Sequence, residues 1–151
     1  MLRISKKTDY AIILLTHLGK SVDHVSAQKV AKYYKLPYSM VANILKQLVS
    51  AELIKSNRGQ QGGYVLARSA DEIKLSEIIA VTDSPFSLVE CAHDEDLCEV
   101  YQCCPTHRPL VTLHQKIQKF FEDTTLAAII SDAQFHNMLI EDSSYETANL
   151  S

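Results

Sequence analysis

Apolar residues recur at helical spacing in three consecutive stretches near the start of the chain. The first predicted helix is Ser5–Lys20, in which Ser5 can cap the start and Gly19 marks the end. The second is Ser26–Lys35, and the third begins after Pro37 and runs to about Ala51. Two helices joined by so short a link are typical of a helix-turn-helix unit. The apolar stripe of the third helix consists of Val41, Ile44, Leu45 and Leu48.

A short β-hairpin is predicted directly after the third helix. Leu53–Ser56 and Tyr64–Ala67 have strand character, and the loop between them contains three glycines. A further helix is predicted over Asp71–Thr82. Because a hairpin that follows a helix-turn-helix forms a wing, we expect a mainly α fold with a small β-hairpin wing. The predicted fold is therefore a winged helix-turn-helix domain.

The second half of the chain contains a loop and then a long helix. Residues 85–109 are loop-like and contain all four cysteines, and Leu110–Ile130 has a broad apolar stripe. That stripe can pack on a second copy of the chain or back on its own domain, and its periodicity fits both.

Charge divides the chain into two unlike halves. Residues 1–68 hold 11 Lys and Arg against three acids, a balance of +8, whereas residues 69–151 have a balance of −11. A basic half indicates an anionic partner, and nucleic acid is the usual one. Neither a signal peptide nor an apolar run of membrane-spanning length is present in the sequence, so we expect a cytoplasmic protein.

The third helix and the wing supply candidate DNA contacts. Ser39 and Asn43 lie one turn apart off the apolar stripe, where they can meet base edges in the major groove, and Lys46 can meet a phosphate. Arg58 lies in the wing loop, where arginine can enter a minor groove. Two further wing residues can donate to phosphate or bases, namely Gln60 and Gln61.

The cysteines form a tight cluster with the spacing Cys91-x6-Cys98-x4-Cys103-Cys104-x2-His107. Inert thiols are improbable at this density, and a chain without an export signal rarely keeps structural disulfides. Zinc sites prefer paired short spacings, so wide spacing in an irregular loop fits iron–sulfur ligation better. Zinc and a thiol–disulfide switch stay open as alternatives.

The fourth ligand of such a site has two candidates. His107 follows Cys104 at the spacing of a ligand pair, and Asp9 can reach in from the first helix, in this subunit or a second one. Cys103 is a weaker candidate because the side chains of neighbouring residues diverge.

Three segments together resemble the Rrf2 family of bacterial regulators: the start Ser5-Lys-Lys-Thr-Asp-Tyr-Ala, the third helix, and the wing sequence Arg58-Gly-Gln-Gln-Gly-Gly-Tyr. The resemblance covers roughly residues 1–135 and leans to members that regulate the SUF system of iron–sulfur cluster assembly. It implies a homodimer that binds double-stranded operator DNA, and a cluster that controls DNA affinity. It also implies no enzyme activity and no small-molecule substrate or membrane partner.

The resemblance assigns three cysteine ligands, Cys91, Cys98 and Cys104. IscR-like members complete a 2Fe–2S site with a histidine, which maps onto His107, and this is the favoured assignment. NsrR-like members place a carboxylate on a 4Fe–4S cluster, which maps onto Asp9. This chain departs from the family pattern at Cys103, in the six-residue first gap, and at Gln60, which replaces a proline.

These observations predict an iron–sulfur-dependent DNA-binding regulator, a repressor that senses cluster, iron, redox or nitric-oxide status and controls cluster-assembly genes. A cluster carrier or redox enzyme is a weaker alternative, because the sequence shows no nucleotide loop and no nucleophile–base arrangement. We expect four parts: a DNA-binding domain at 1–84, a cluster loop at 85–109, a dimerisation helix region at 110–140, and a flexible tail at 141–151.

Overall fold

The computed structural model describes residues 4–59, 62–84, 86–89 and 98–132. The expected mainly α fold with a two-stranded wing is confirmed. A 3₁₀ turn, Tyr101–Cys103, precedes the last named helix, and residues 126–132 are helical again. The elements are α1 (Lys6–Lys20), α2 (Ala27–Tyr33), α3 (Tyr38–Ser50), β1 (Ile54–Asn57), β2 (Gly63–Leu66), α4 (Leu75–Thr82) and α5 (His107–Asp123).

Serine caps begin the first two helices, as the sequence predicts. The Ser5 hydroxyl accepts from the Thr8 amide at 3.2 Å, and the Ser26 hydroxyl accepts from the Lys29 amide at 3.2 Å. The prediction that Gly19 ends α1 is wrong, since the helix continues to Lys20. A β-carbon at position 19 would collide with the side chain of Ile130. Glycine there lets the end of the Ile130 side chain pack closely against α1.

The turn between α2 and α3 contains Lys35 in the left-handed backbone region, with φ of 54°. The Leu36 amide donates to the Ala31 carbonyl at 2.9 Å, which closes the end of α2. Pro37 precedes α3 as its N-cap rather than lying in its first turn. The stripe predicted for α3 is fully buried: Val41, Ile44, Leu45 and Leu48.

The wing strands pair antiparallel, with Ile54 opposite Leu66. Residue Val25 adds a third partner at the base of the wing, since it exchanges two backbone hydrogen bonds with Tyr64, at 3.0 and 2.9 Å. A β-carbon at Gly63 would lie 2.7 Å from the Val25 carbonyl oxygen. Glycine at this position thus allows the α1–α2 connection to approach the wing.

A chain of hydroxyls joins the start of α1 to the end of α4. The buried Thr82 hydroxyl donates to the Ile78 carbonyl at 2.8 Å and lies 2.8 Å from the buried Thr8 hydroxyl. The Thr8 hydroxyl therefore donates to Thr82, and it also lies 3.0 Å from the Ser5 hydroxyl. Because buried hydroxyls are costly without partners, this chain fixes α4 against α1.

The predicted helix over Asp71–Thr82 is shorter than expected. Residues 71–74 form a turn, in which Ile73 is fully buried, and α4 begins only at Leu75. The Glu77 carboxylate accepts from the Lys74 amide at 2.9 Å and pairs with Arg68 at 2.6 Å. These bonds fix the helix start inside the predicted range.

The prediction of one continuous helix from Leu110 to Ile130 is wrong. Helix α5 starts earlier, at His107, and ends at Asp123. The chain then pairs with the turn before α4: Leu75 donates to the Thr124 carbonyl at 2.9 Å, and Leu126 donates to the Ile73 carbonyl at 2.8 Å. These backbone bonds interrupt the helix, and the segment beyond them packs back on its own domain.

We predict that Leu126→Ala lowers the unfolding free energy by about 2–5 kcal/mol, because its fully buried side chain belongs to the core of the winged domain. Urea denaturation at fixed protein concentration measures the effect. Val22, which is 99% exposed, supplies the control substitution Val22→Ala. Equal midpoints for the two variants would show that residues 126–132 do not stabilise the domain.

Candidate nucleic-acid interface and cysteine loop

The side of α3 opposite its buried stripe is polar and open to solvent. Ser39, Asn43 and Lys46 are all exposed, with Ser39 and Asn43 one helical turn apart. Tyr38, at the start of the helix, is 53% exposed and extends this surface. The three α3 residues that the sequence predicts as DNA contacts therefore lie on one accessible face.

An open groove of about 480 Å³ lies between the start of α2 and the wing, and Tyr38 at the start of α3 also lines it. Arg58, exposed in the wing loop, lies on its rim, whereas Gln60 and Gln61 lie outside the described residues. The lining of the groove is mostly polar and, apart from Arg58, uncharged. The residues that form it include Ser26, Gln28, Tyr38, Ser56, Asn57 and Arg58.

A contact at the base of the wing was not apparent from sequence. The Asn57 side-chain amide donates to His24 Nε2 at 2.6 Å, and this joins the wing to the α1–α2 connection. The two residues are 33 positions apart, and neither belongs to a recognisable pattern. Only the tertiary fold brings them together beside Arg58.

The described cysteines lie in and around the 3₁₀ turn: Cys98 precedes it, Cys103 is its last residue and Cys104 follows it. Cys98 and Cys104 are partly exposed and Cys103 is exposed, whereas Cys91 lies outside the described residues. The Cys103 thiol donates back to the Val100 carbonyl at 3.5 Å, and the Cys104 sulfur lies 3.4 Å from the Thr106 hydroxyl, further along the chain. The two adjacent sulfurs are thus hydrogen-bonded to different parts of the chain, one before the pair and one after it.

The surroundings of Cys104 favour its thiolate. A hydrogen bond from the Thr106 hydroxyl, then the backbone amides of Thr106 and His107, hold the pKa of the Cys104 thiol below its usual value. His107 begins α5, and its ring lies 4.5 Å from the Tyr101 ring in an edge-to-face arrangement. A thiolate is the form in which cysteine binds metal or reacts with oxidants.

The predicted ligands that the structure describes do not form a metal site. Among residues 4–59, 62–84, 86–89 and 98–132, no group of three or more His, Cys, Asp or Glu side chains could hold a metal ion. Asp9 is exposed on the first turn of α1. The donor chemistry of Cys98, Cys104 and His107 suits iron or zinc, but the described part of the chain does not bring them together around one point.

A buried histidine that the sequence did not single out lies seven residues into α5. His114 is 3% exposed, and its ring stacks on Phe86 with centroids 5.4 Å apart and planes 10° apart. Its Nδ1 accepts from the Leu88 amide at 3.3 Å. The spacing of His114 from Phe121 places both on one helix face, and this was the available sequence signal.

Another face of α5 remains apolar and exposed. Leu113 is 45% exposed and Phe120 is 64% exposed, and their seven-residue separation places them on one side of the helix. Only His114 is fully buried along α5. In the described chain this helix therefore shields little of its apolar surface.

None of the helices in the described residues combines the length and the apolar character needed to cross a membrane.

Comparison with known proteins identifies the family. A model of the Rrf2 family, described as iron-dependent transcriptional regulators, matches residues 4–132. The transcriptional regulator IscR of Sodalis glossinidius is 27% identical over 137 residues, covering 88% of this chain and 81% of the relative. The regulator NsrR of Shouchella clausii is 27% identical over 124 residues, covering 80% of this chain and 81% of the relative.

Solved structures agree with the sequence relatives. The structure of CymR, the global cysteine regulator of B. subtilis, matches with a TM-score of 0.71 and 28% identity, covering 87% of this chain and 98% of that one. The family and these relatives are transcriptional regulators rather than enzymes. Because the family model spans most of the sequence, the chain belongs to the Rrf2 family of iron-dependent transcriptional regulators.

Proposed function

We propose that this regulator acts as a homodimeric repressor whose affinity for operator DNA depends on an iron–sulfur cluster, and that it controls cluster-assembly genes. The observation that carries the proposal is the continuity of the cysteine loop with α5. Cys104 favours the thiolate form, and His107, three residues later, is the first residue of that helix. Ligands at Cys104 and His107 would therefore lie at the start of α5, the helix that leaves Leu113 and Phe120 exposed.

DNA recognition is assigned to α3 and the wing. The exposed Ser39 and Asn43 can reach base edges, since an asparagine pairs with adenine in two hydrogen bonds. Lys46 can contact a phosphate. Arg58, on the rim of the groove beside the wing, can enter a minor groove of the DNA. Gln60 and Gln61 are further candidates from the sequence.

The proposed ligands are Cys91, Cys98, Cys104 and His107. The family model describes iron-dependent regulators, and three thiols with one imidazole suit a 2Fe–2S cluster. When bound, such a cluster supplies a centre that iron shortage, oxidants or nitric oxide can remove. Asp9, with a 4Fe–4S cluster, remains the alternative fourth ligand, and Cys103 is not assigned as a ligand.

Dimerisation is assigned to α5. A helix that leaves Leu113 and Phe120 exposed on one side suits a second copy of itself. His107 is the first residue of this helix. A ligand bound at His107 would therefore change the position of α5, and with it the distance between the α3 helices of the two subunits. The division of the chain into a domain at 1–84, a loop at 85–109, a helix region at 110–140 and a tail stays part of this proposal.

A second candidate function keeps DNA binding and replaces the cluster with zinc or a thiol–disulfide switch. The lowered pKa of the Cys104 thiol favours it as well, since thiolates are the reactive form in disulfide exchange. Anaerobic purification separates the two: iron with acid-labile sulfide and visible absorbance supports the cluster, and a colourless protein supports the alternative.

For DNA recognition, we predict that Asn43→Ala costs about 1–3 kcal/mol of operator binding and relaxes base preference at one position. Lys46→Ala should weaken all sequences equally and reduce the slope of log K against log salt by about 1. Titration of selected and scrambled duplexes measures both effects. Lys116→Ala, at an exposed position on α5, is the control. An unchanged base preference in Asn43→Ala would remove this residue from the interface.

For the cluster, we predict that His107→Ala alters the anaerobic Mössbauer and resonance Raman spectra, whereas Asp9→Ala and Cys103→Ala leave them unchanged. The physical reason is that loss of a ligand changes the coordination of one iron, whereas loss of a side chain that is not a ligand leaves that coordination in place. The opposite result for His107 and Asp9 would exchange their roles. If the protein with Cys91, Cys98 and Cys104 all changed to Ala bound operator like the wild type, cluster control of DNA affinity would be wrong.

For the dimer, we predict that Phe120→Glu converts the protein to a monomer in sedimentation velocity, because a buried unpaired carboxylate opposes association. Gln115→Glu introduces the same charge at an exposed polar position on another face of α5 and should stay dimeric. Dimers in both variants would place the interface elsewhere.

A further inference from the structure

The cysteine loop is anchored to α5 at its upstream end as well as at its downstream end. We name residues 86–89 the stem; it follows α4 and comes before Cys91 in the sequence. Phe86 in the stem stacks on His114 and also meets Phe121 edge-to-face, with ring centroids 5.3 Å apart. Two aromatic contacts from one residue fix the stem on the inner face of α5.

The imidazole of His114 contributes a directed bond in addition to this packing. The Leu88 amide donates to Nδ1 at 3.3 Å, so that nitrogen carries its lone pair and the proton lies on Nε2. At 3% exposure the ring is screened from water. An amide that lost this acceptor would be left without a partner in a partly buried place, which is unfavourable.

The position of His114 relates the stem to the other end of the loop. His107 and His114 are two turns apart on the same helix, and Cys104 lies just before its start. In the sequence the stem follows α4, whose last residue, Thr82, is hydrogen-bonded to Thr8 of the DNA-binding domain. His114 thus joins α5 to the stem, which in the sequence connects the winged domain to the cysteines.

We propose that His114 is a positioning residue of the cysteine loop: its Nδ1 holds the Leu88 amide, fixes the stem on α5, and so determines how firmly the cysteines retain iron. The last step, iron retention, rests on the proposed function. The hydrogen bond to Leu88 and the position of the stem rest on the described contacts. It assigns to His114 no contact with metal.

Two substitutions separate the hydrogen bond from simple filling of space. His114→Asn places an amide oxygen near the position of Nδ1 and keeps an acceptor, but removes the ring. His114→Phe keeps a ring against Phe86 and removes the acceptor. A role in packing alone predicts a wild-type-like Phe variant and a loosened Asn variant, whereas the proposal predicts the reverse.

Hydrogen exchange of the Leu88 amide in full-length protein prepared without iron tests the first step. We expect exchange to be about fivefold faster in His114→Phe and close to wild type in His114→Asn, as loss of one hydrogen bond implies. The amides of Leu45 and Ile78, buried in the winged domain, report on folding, and Gln115→Ala is the neighbouring control. Equal exchange in all variants, or the reverse order, would overturn the assignment.

The second step is tested by the loss of visible absorbance in air after anaerobic reconstitution with iron and sulfide. His114→Phe should lose absorbance faster than wild type and His114→Asn should restore the wild-type lifetime. Equal lifetimes would overturn the link between the stem and iron retention. If no preparation binds iron, wild type included, the proposed cluster function is wrong, and the second step of this proposal is wrong with it. The exchange rates still decide whether Nδ1 of His114 holds the stem.

Discussion

The backbone pairing between residues 73–75 and 124–126 determines where α5 lies. Those bonds end the helix at Asp123, return the chain to the winged domain, and bury Leu126 beside Ile73 in its core. Without this return, α5 would keep its contacts with Phe86 and Leu88 but would lose this attachment at its far end. With it, the helix is held at its far end, so a change at its start can alter its orientation but not detach it.

A second set of contacts connects the DNA-binding surface to the loop. The hydroxyl chain from Ser5 through Thr8 and Thr82 fixes the end of α4, and the stem leaves from that end to reach His114. Each link is a specific polar or aromatic contact between elements that already pack together. The proposed function requires such links, because a change at the proposed ligands would have to reach α3 through contacts of defined geometry.

The cysteine loop and the winged domain differ in how they are stabilised. The domain has a continuous apolar core in which α3 buries four side chains. The described residues from Cys98 to Thr106 have exposed or half-exposed thiols, a single 3₁₀ turn, and thiol hydrogen bonds to residues two or three positions away. Such a segment can respond to a ligand without disturbing the core, since little buried apolar area depends on its conformation.

Periodicity and end signals in the sequence determined the helix-turn-helix, the wing, and the serine caps at Ser5 and Ser26, because those features depend on neighbouring residues. Sequence also located the exposed residues of α3, since a buried stripe defines its opposite face. It could not determine the break after Asp123, where the Thr124 carbonyl accepts from the Leu75 amide, 49 positions earlier, and an otherwise regular apolar pattern is interrupted. Nor could it find the joining role of His114, or the contact of His24 with Asn57. These depend on long-range packing, which brings together residues that no local pattern relates.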